Sequence, residues 1–202
     1  MSDGRGGTAT ADVSPEPIVT PPEPDAEITL ALSRGEPLLA LSLCVQRHGP
    51  SIGRLCMAML GSQVDADDVT QETLLSAHQA FGEYRGDGSV RAWLLGIARN
   101  KCLQHLEKTR RRGSRLGLAS NGHGSATLEE ALGVKRRAAR ARALLEQVKP
   151  SDRDALLLRF GADLSFKEVA AACGIDEPTA RKRVSRALMR LRSALEEEHD
   201  DD

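Results

Sequence analysis

Residues 84–112 read YRGDGSVRAWLLGIARNKCLQHLEKTRRR, and the rest of the chain is interpreted outward from this stretch. It opens with a short polar loop, whose glycines permit backbone conformations that are closed to other residues. Ser89 follows as a good N-cap for a helix. At 100° per residue, one face of that helix is apolar and predicts a contact with a core. That face consists of Leu94, Leu95, Ala98, Cys102 and Leu106.

The opposite face of the same helix combines an indole with amides and ammonium groups. Its members are Trp93, Asn100 and Gln104, with Lys101 and Lys108 on the flank. A surface of this kind suits stacking on bases and contact with phosphates. An alternative interpretation is that Trp93 simply fills a second helix interface. Gly96 also lies inside the helix, where glycine costs about 0.5–1 kcal/mol relative to alanine.

Composition favours an all-helical protein. The chain has 202 residues, is rich in alanine, leucine and arginine, and contains only 2% aromatic residues. The net charge of −1 conceals a division, because acids crowd both ends whereas basic clusters occupy 99–115, 135–142 and 181–192. Binding depends on local fields, so the near-zero total charge is compatible with a polyanionic partner.

The sequence contains few signs of catalytic chemistry. Cys44, Cys56, Cys102 and Cys173 are scattered without ligand spacing, which argues against a zinc framework. Nucleotide-binding and hydrolase motifs are missing, so we expect no catalytic residue, no metal and no cofactor.

No apolar run approaches the ~20 residues of a membrane span, and no secretion signal is evident, which together predict a cytoplasmic protein without membrane insertion.

Composition and periodicity predict two small helical domains joined by a flexible linker. The predicted segments are a disordered acidic and proline-rich tail (1–25), a helical domain (26–112), a linker (113–130), a second helical domain (131–197) and an acidic tail (198–202). Within the first domain, Pro50 is expected to begin a new helix and Asp65 to cap the helix after it.

The second domain carries the signals of a helix-turn-helix. Ser165 with Glu168 forms a capping box, Gly174 turns the chain, and Asp176 caps a long helix. Ser151 with Asp154 resembles another capping box. A short helix, a turn and a longer helix are typical of a module that reads the major groove, although a plain helical hairpin has the same pattern.

One face of the long helix has the chemistry of a DNA-recognition surface. The predicted contacts are Thr179, Lys182, Arg183, Arg186 and Arg190. Early residues of such a helix reach base edges and later ones reach phosphates.

In their order and spacing, these motifs resemble the extracytoplasmic-function (ECF) sigma factors, a subfamily of the sigma-70 family of bacterial RNA polymerase. The resemblance covers roughly residues 30–195 and includes a D-x-x-Q-E pattern before the loop. It implies that 26–112 corresponds to region 2, which melts promoters, and that 131–197 corresponds to region 4, which binds the minus-thirty-five duplex.

The resemblance also implies partners and site residues. Core RNA polymerase would be bound through its largest-subunit clamp, contacted by Asp68, Gln71 and Glu72, and through its flap. The non-template strand of the minus-ten element would be held by Asp87, Gly88, Ser89, Trp93, Asn100, Lys101 and Gln104. An anti-sigma factor is an expected further partner, and no covalent chemistry is implied.

Two other classes of protein remain as alternatives. A helix-turn-helix regulator would bind operator DNA without joining the polymerase, but it has no need of the D-x-x-Q-E helix or of the loop and helix at 86–112. A helical adaptor would bind only protein, which leaves the basic face at 179–190 unexplained.

Overall fold

All regular structure is helical in the part of the chain that the computed structural model describes, namely residues 25–84, 86, 88–116 and 130–200. The first block comprises α1 (Ala26–Ser33), α2 (Pro37–Leu60), α3 (Gln63–Ala80) and α4 (Val90–Leu116), with a 3-10 turn (Phe81–Glu83) before the loop. The second comprises α5 (Glu130–Glu146), α6 (Pro150–Leu156), a π-helical turn (Leu157–Gly161), α7 (Phe166–Cys173) and α8 (Glu177–Asp200). The predicted all-α class with two helical units is confirmed.

Several predicted segments fall wholly or partly outside the described residues. They include all of the N-terminal tail except Asp25, positions 201 and 202, and Asp87 of the loop. In the predicted linker, α4 extends to Leu116 and α5 begins at Glu130, whereas 117–129 lie outside the description. Across the described ranges, every helix is too short or too polar to span a lipid bilayer.

The core of the first block forms where α2, α3 and α4 pack against one another. Leu94, Leu95, Ala98 and Cys102 on α4 are fully buried, as their 3.6-residue periodicity predicts, and Leu106 lies half-buried at the edge. Ile52 and Leu55 on α2 are buried in the same hydrophobic cluster. Ser89 caps α4 as predicted, since its hydroxyl accepts a hydrogen bond from the Ala92 amide at 3.1 Å.

The helix-turn-helix of the second block is confirmed by its caps. Ser165 and Glu168 form a reciprocal capping box at the start of α7. Gly174 ends that helix with a φ of 64°, in the left-handed region that glycine tolerates best. The Asp176 carboxylate accepts a hydrogen bond from the Thr179 amide at 2.8 Å and so caps α8.

Three local predictions are wrong. Helix α2 runs unbroken through Pro50, although proline lacks the N–H of the helical bond and its ring crowds the carbonyl one turn back. The buried neighbours His48 and Ile52 hold both halves in place. Ser62, not Asp65, caps α3 by accepting from the Asp65 amide at 3.4 Å. The predicted capping box of Ser151 with Asp154 does not form. Lys149 occupies the N-cap of α6 without a side-chain bond, since Pro150 takes the first helical position.

The two blocks pack directly against each other. Helix α7 lies on α4, and the π-helical turn lies on α2. Buried residues of both blocks, from Ile28 in α1 to Ala187 in α8, therefore form one continuous hydrophobic cluster.

Asp25 connects three elements of the first block. One carboxylate oxygen lies 2.8 Å from His48 Nε2 on α2, and the other accepts from the Arg91 amide at the start of α4. Burial alone would raise the pKa of Asp25. The hydrogen bond and charge of His48, with the Arg91 amide, outweigh burial and hold that pKa below its ordinary value.

We predict that Asp25→Asn lowers the free energy of unfolding by about 1–3 kcal/mol, because buried donors lose a charged acceptor. Urea denaturation at pH 7 measures this. Since the folded-state pKa of Asp25 is depressed, its contribution is present above the unfolded value and is lost as pH falls through the folded value. The gap between wild type and variant should consequently shrink in acid.

Asp68→Asn serves as the control, because Asp68 is exposed on α3. It should leave the free energy of unfolding within about 0.5 kcal/mol of wild type. Equal destabilisation by both substitutions would show that the bonds of Asp25 to His48 and the Arg91 amide add nothing to stability.

Candidate nucleic-acid interface

The loop before α4 is built around its own hydrogen bonds. Tyr84 donates its hydroxyl proton to the Gly88 carbonyl at 2.6 Å. Gly88 is exposed and Ser89 is half-buried. Besides capping α4, Ser89 donates its hydroxyl to the Glu168 carboxylate of α7. Two of the three loop residues predicted to hold the minus-ten strand are thus placed together, while Asp87 lies outside the described residues.

Trp93 belongs to a small aromatic cluster. Its ring lies 5.2 Å from that of Tyr84 and 6.0 Å from that of Phe81, centroid to centroid, in tilted arrangements. The indole is half-buried, so it does pack into an interface, as one interpretation of the sequence held. The rest of the ring borders an open cleft, which leaves it available for a further stacking partner.

The cleft has a volume of about 520 Å³ and lies between α4 and α7. Of the residues predicted to hold the minus-ten strand, Gly88, Ser89, Trp93 and Asn100 line it. Lys101 is half-buried outside the cleft. Gln104 is exposed farther along α4, where it borders a second, shallow depression of about 650 Å³ with Lys108 and Arg112. The predicted strand surface is therefore split into a loop-proximal cleft and a distal basic depression.

The far wall of the cleft comes from α7. A buried ion pair joins α4 to the second block outside the cleft lining. Arg99 Nη2 of α4 lies 2.8 Å from Asp154 Oδ2 of α6, with 13% and 3% of the two side chains exposed. Burial raises the pKa of Asp154 above its ordinary value, although the charge and hydrogen bonds of Arg99 oppose this. Arg91 adds a third contact between the blocks by donating to the Ala162 carbonyl.

On α8, the five predicted duplex contacts divide into two groups. Lys182 is exposed, and Thr179 and Arg183 are half-buried beside it. Arg186 instead donates twice to Asp152 of α6, at 2.7 and 2.9 Å, and Arg190 bonds Gln147 at 3.2 Å. Arg186 therefore clamps α8 to α6 while its side chain stays partly exposed. Thr179, Lys182 and Arg183 take no part in this clamp.

The D-x-x-Q-E residues lie on one exposed stripe of α3. Asp68, Gln71 and Glu72 are all exposed, opposite the buried Ala66, Val69, Thr73 and Ala77. Val64 and Leu75, 71% and 61% exposed, lie on the same stripe. Sequence reasoning missed these two apolar residues, although their spacing of four and seven from Asp68 and the polarity of their neighbours could have revealed them.

Comparison with known proteins decides the family. The chain matches the family models for Sigma-70 region 2 over residues 44–112 and for Sigma-70 region 4 over residues 138–191. It is 30% identical over 178 residues to the ECF RNA polymerase sigma factor SigM of Mycobacterium tuberculosis (strain ATCC 25618 / H37Rv), covering 85% of this chain and 84% of SigM. This chain belongs to the ECF sigma factors.

Other relatives agree with this assignment. The ECF sigma factor EcfG of Rhodopseudomonas palustris (strain TIE-1) is 30% identical over 148 residues, covering 72% of this chain and 80% of EcfG. The solved structure of CnrH in complex with the cytosolic domain of CnrY superposes with a TM-score of 0.66 at 23% identity, covering 85% and 97% of the two chains. At that identity the superposition establishes the shared fold.

The ECF sigma factor should lose stability when the clamp on α8 is cut. The hydrogen bonds of Arg186 hold the pKa of the buried Asp152 below its ordinary value. We predict that Arg186→Ala lowers the free energy of unfolding, because the buried Asp152 loses the charged partner that donates to it twice. Urea denaturation at pH 7 measures the loss, which should diminish as pH falls and Asp152 is protonated.

Lys182→Ala, on the same helix, is the matched control and should change the free energy of unfolding by less than about 0.5 kcal/mol. If Arg186→Ala proves equally silent, the clamp contributes nothing to stability. The predicted contact of Arg186 with the duplex stays a prediction in either case.

Proposed function

We propose that this ECF sigma factor binds core RNA polymerase, directs it to a class of promoters and helps to open the minus-ten region. The observation that carries the proposal is the presence of regions 2 and 4, in order, on the two helical blocks of one chain. A sigma factor needs both, because one contacts the melted strand and the other the upstream duplex.

Each step has a surface of suitable chemistry. The exposed stripe of α3 combines acids, an amide and two apolar side chains, a mixture suited to a protein interface with a hydrophobic centre. The cleft beside Trp93 offers an aromatic face and the Asn100 amide to an unpaired base. The exposed start of α8 offers Lys182, with Thr179 and Arg183 beside it, to a major groove.

The protein acts by binding and carries out no covalent chemistry. Because its target is the transcription machinery, it works in the cytoplasm. An anti-sigma factor is a further partner: the sigma factor RpoE of Bartonella quintana was solved in complex with the anti-sigma factor NepR, and it superposes on 75% of this chain with a TM-score of 0.54.

Run-off transcription tests the function directly. Purified chain and core polymerase are supplied with a library of randomised promoters, and specific transcripts are expected only when the chain is present. A protein that binds duplex DNA but never supports transcription would instead be a helix-turn-helix regulator of operator sites.

We predict that Lys182→Ala weakens binding of the holoenzyme to the selected promoter, because a contact to a base edge or phosphate is lost. Removing a phosphate contact should reduce the slope of log affinity against log salt by about 1, whereas losing a base contact should cost about 1–3 kcal/mol at one position only. Filter binding over a range of salt concentrations measures both.

The control for this change is Arg34→Ala, which removes one positive charge at the end of α1, far along the chain from α8. Promoter affinity and salt slope identical in wild type and Lys182→Ala would remove Lys182 from the interface.

We also predict that Gln71→Ala combined with Glu72→Ala lowers affinity for core polymerase, since both side chains lie on the docking stripe of α3. Competition of labelled wild-type chain against each variant for core polymerase measures the change. Gln63→Ala is the control: Gln63 is exposed on the same helix but away from the stripe, where it bonds Asp67 at 2.8 Å. Full retention of core binding by the double variant would place the docking surface elsewhere.

A further inference from the structure

Two cysteines that are distant in the sequence meet in the core of the first block. Cys56 lies on α2 and Cys102 lies on α4, and these two helices pack directly against each other. Both residues are free thiols and both are fully buried in the same hydrophobic cluster. The Cys102 thiol donates a hydrogen bond to the Cys56 sulfur. The fold thus turns two of the four scattered cysteines into a thiol pair, which their sequence spacing did not indicate.

The surroundings make the two sulfurs of the thiol pair unequal. Thr70 of α3 is a second hydrogen-bond partner of the Cys56 sulfur. The bond from Cys102, joined by that of Thr70, outweighs burial and holds the pKa of Cys56 below its ordinary value. The same bond, together with burial, raises the pKa of Cys102. Cys56 is therefore the better thiolate, and the protonated Cys102 lies beside it as a resolving cysteine does.

The thiol pair lies at the margin of the core. Cys56 is the last buried residue of α2, and positions 57–60 after it are only half-buried. Cys102 is likewise the last buried residue in the described part of α4, and the half-buried Leu103 next to it borders an open depression. A local opening at these helix ends, well short of global unfolding, would therefore admit a small molecule to the sulfurs.

We propose that Cys56 and Cys102 form a redox-modification site, at which hydrogen peroxide or a similarly small peroxide converts the two thiols into a disulfide that joins α2 to α4. The site goes beyond the proposed function and does not depend on it, because it concerns the core of the first block alone.

The reaction balances in two steps. The Cys56 thiolate attacks one peroxide oxygen and breaks the O–O bond, which gives a sulfenic acid and a hydroxide that takes up a proton as water. Cys102 then attacks the sulfenic sulfur and displaces its hydroxyl group, which leaves as a second water with the proton of the Cys102 thiol. Two thiols and one peroxide thus become one disulfide and two waters. An added dithiol reverses the change by thiol–disulfide exchange.

The disulfide would fasten together the helices on which the first block is built. A cross-link between α2 and α4 closes the chain segment from 56 to 102 and restricts the unfolded state, which stabilises the folded one. The turn of α4 that contains Cys102 also presents Asn100, Lys101 and Gln104 on its other sides. Oxidation therefore acts from inside the core on a helix whose outer surface is the candidate strand contact.

Peptide mapping of the full-length chain tests the site. The reduced protein is treated with hydrogen peroxide at pH 7, alkylated, digested and analysed by mass spectrometry without reduction. We expect a peptide that joins Cys56 to Cys102 and an intact mass lower by about 2 Da, because two hydrogen atoms are lost when a disulfide forms. Dithiothreitol should restore the original mass.

Cys56→Ala and Cys102→Ala should each abolish the cross-linked peptide. Cys44→Ala is the matched control, because Cys44 is also a fully buried thiol of α2. Burial raises the pKa of Cys44 to about 11, so it is a poor nucleophile, and its removal should leave the cross-link intact.

Urea denaturation supplies a readout that needs no variant. Oxidised wild type should unfold at a higher urea concentration than reduced wild type, and dithiothreitol should remove the difference. The same upward shift is expected in Cys44→Ala, whereas Cys56→Ala should show none. Circular dichroism confirms that each variant is folded.

Three results would overturn the proposal. One is oxidation of the folded chain at the half-buried Cys173 while the thiol pair stays reduced. Another is a sulfinic acid at Cys56 with no cross-linked peptide, because Cys102 then fails to resolve the first product. The third is an inert folded chain whose thiols react only after unfolding in urea. In each case run-off transcription by the reduced chain would still report on the sigma-factor role separately.

Discussion

Helix α4 is packed from two sides, and this constraint shapes the rest of the molecule. Leu94, Leu95 and Ala98 are buried in the core of the first block, while Gly96 approaches the backbone of α7. A helix of 3.6 residues per turn has little surface left after two such contacts. The aromatic ring of Trp93 and the Asn100 amide therefore share the narrow strip that remains, and the cleft is the gap along that strip.

The parts of the fold that could be predicted are those whose information lies within a few residues. The capping box at Ser165, the turn at Gly174 and the cap at Asp176 each satisfy backbone groups three or four positions away. Prediction failed where two local signals competed or where packing overrode them. Ser62 and Asp65 are both good caps, and Pro50 is tolerated because tertiary contacts hold α2 on both sides of it. The approach of the two blocks has no local signature at all.

The charged residues of the candidate site also show that contacts between distant positions cannot be predicted from local sequence. Periodicity correctly placed Arg186 and Arg190 on the exposed side of α8, but their partners Asp152 and Gln147 are 34 and 43 positions away. How easily an arginine can leave its partner for a phosphate depends on whether that partner is exposed or buried. Arg110 and Arg111 share Glu107 at the surface, where ion pairs are weak and phosphates can replace them at small cost. Asp152 is buried, so Arg186 could leave it only by stranding a charge. A basic face identified from periodicity can thus include side chains that are already bonded within the fold.

The bond from Asp25 to the Arg91 amide has a further consequence for biosynthesis. The two residues are 66 positions apart, so the first turn of α4 depends on a carboxylate that is translated well before it. Domains commonly fold from the N-terminal side as the chain emerges from the ribosome. Asp25 and His48 can already be paired when α4 is made, and the growing helix then meets a ready acceptor for its otherwise unpaired amide. The order of synthesis therefore favours assembly of the first block before the second can reach it.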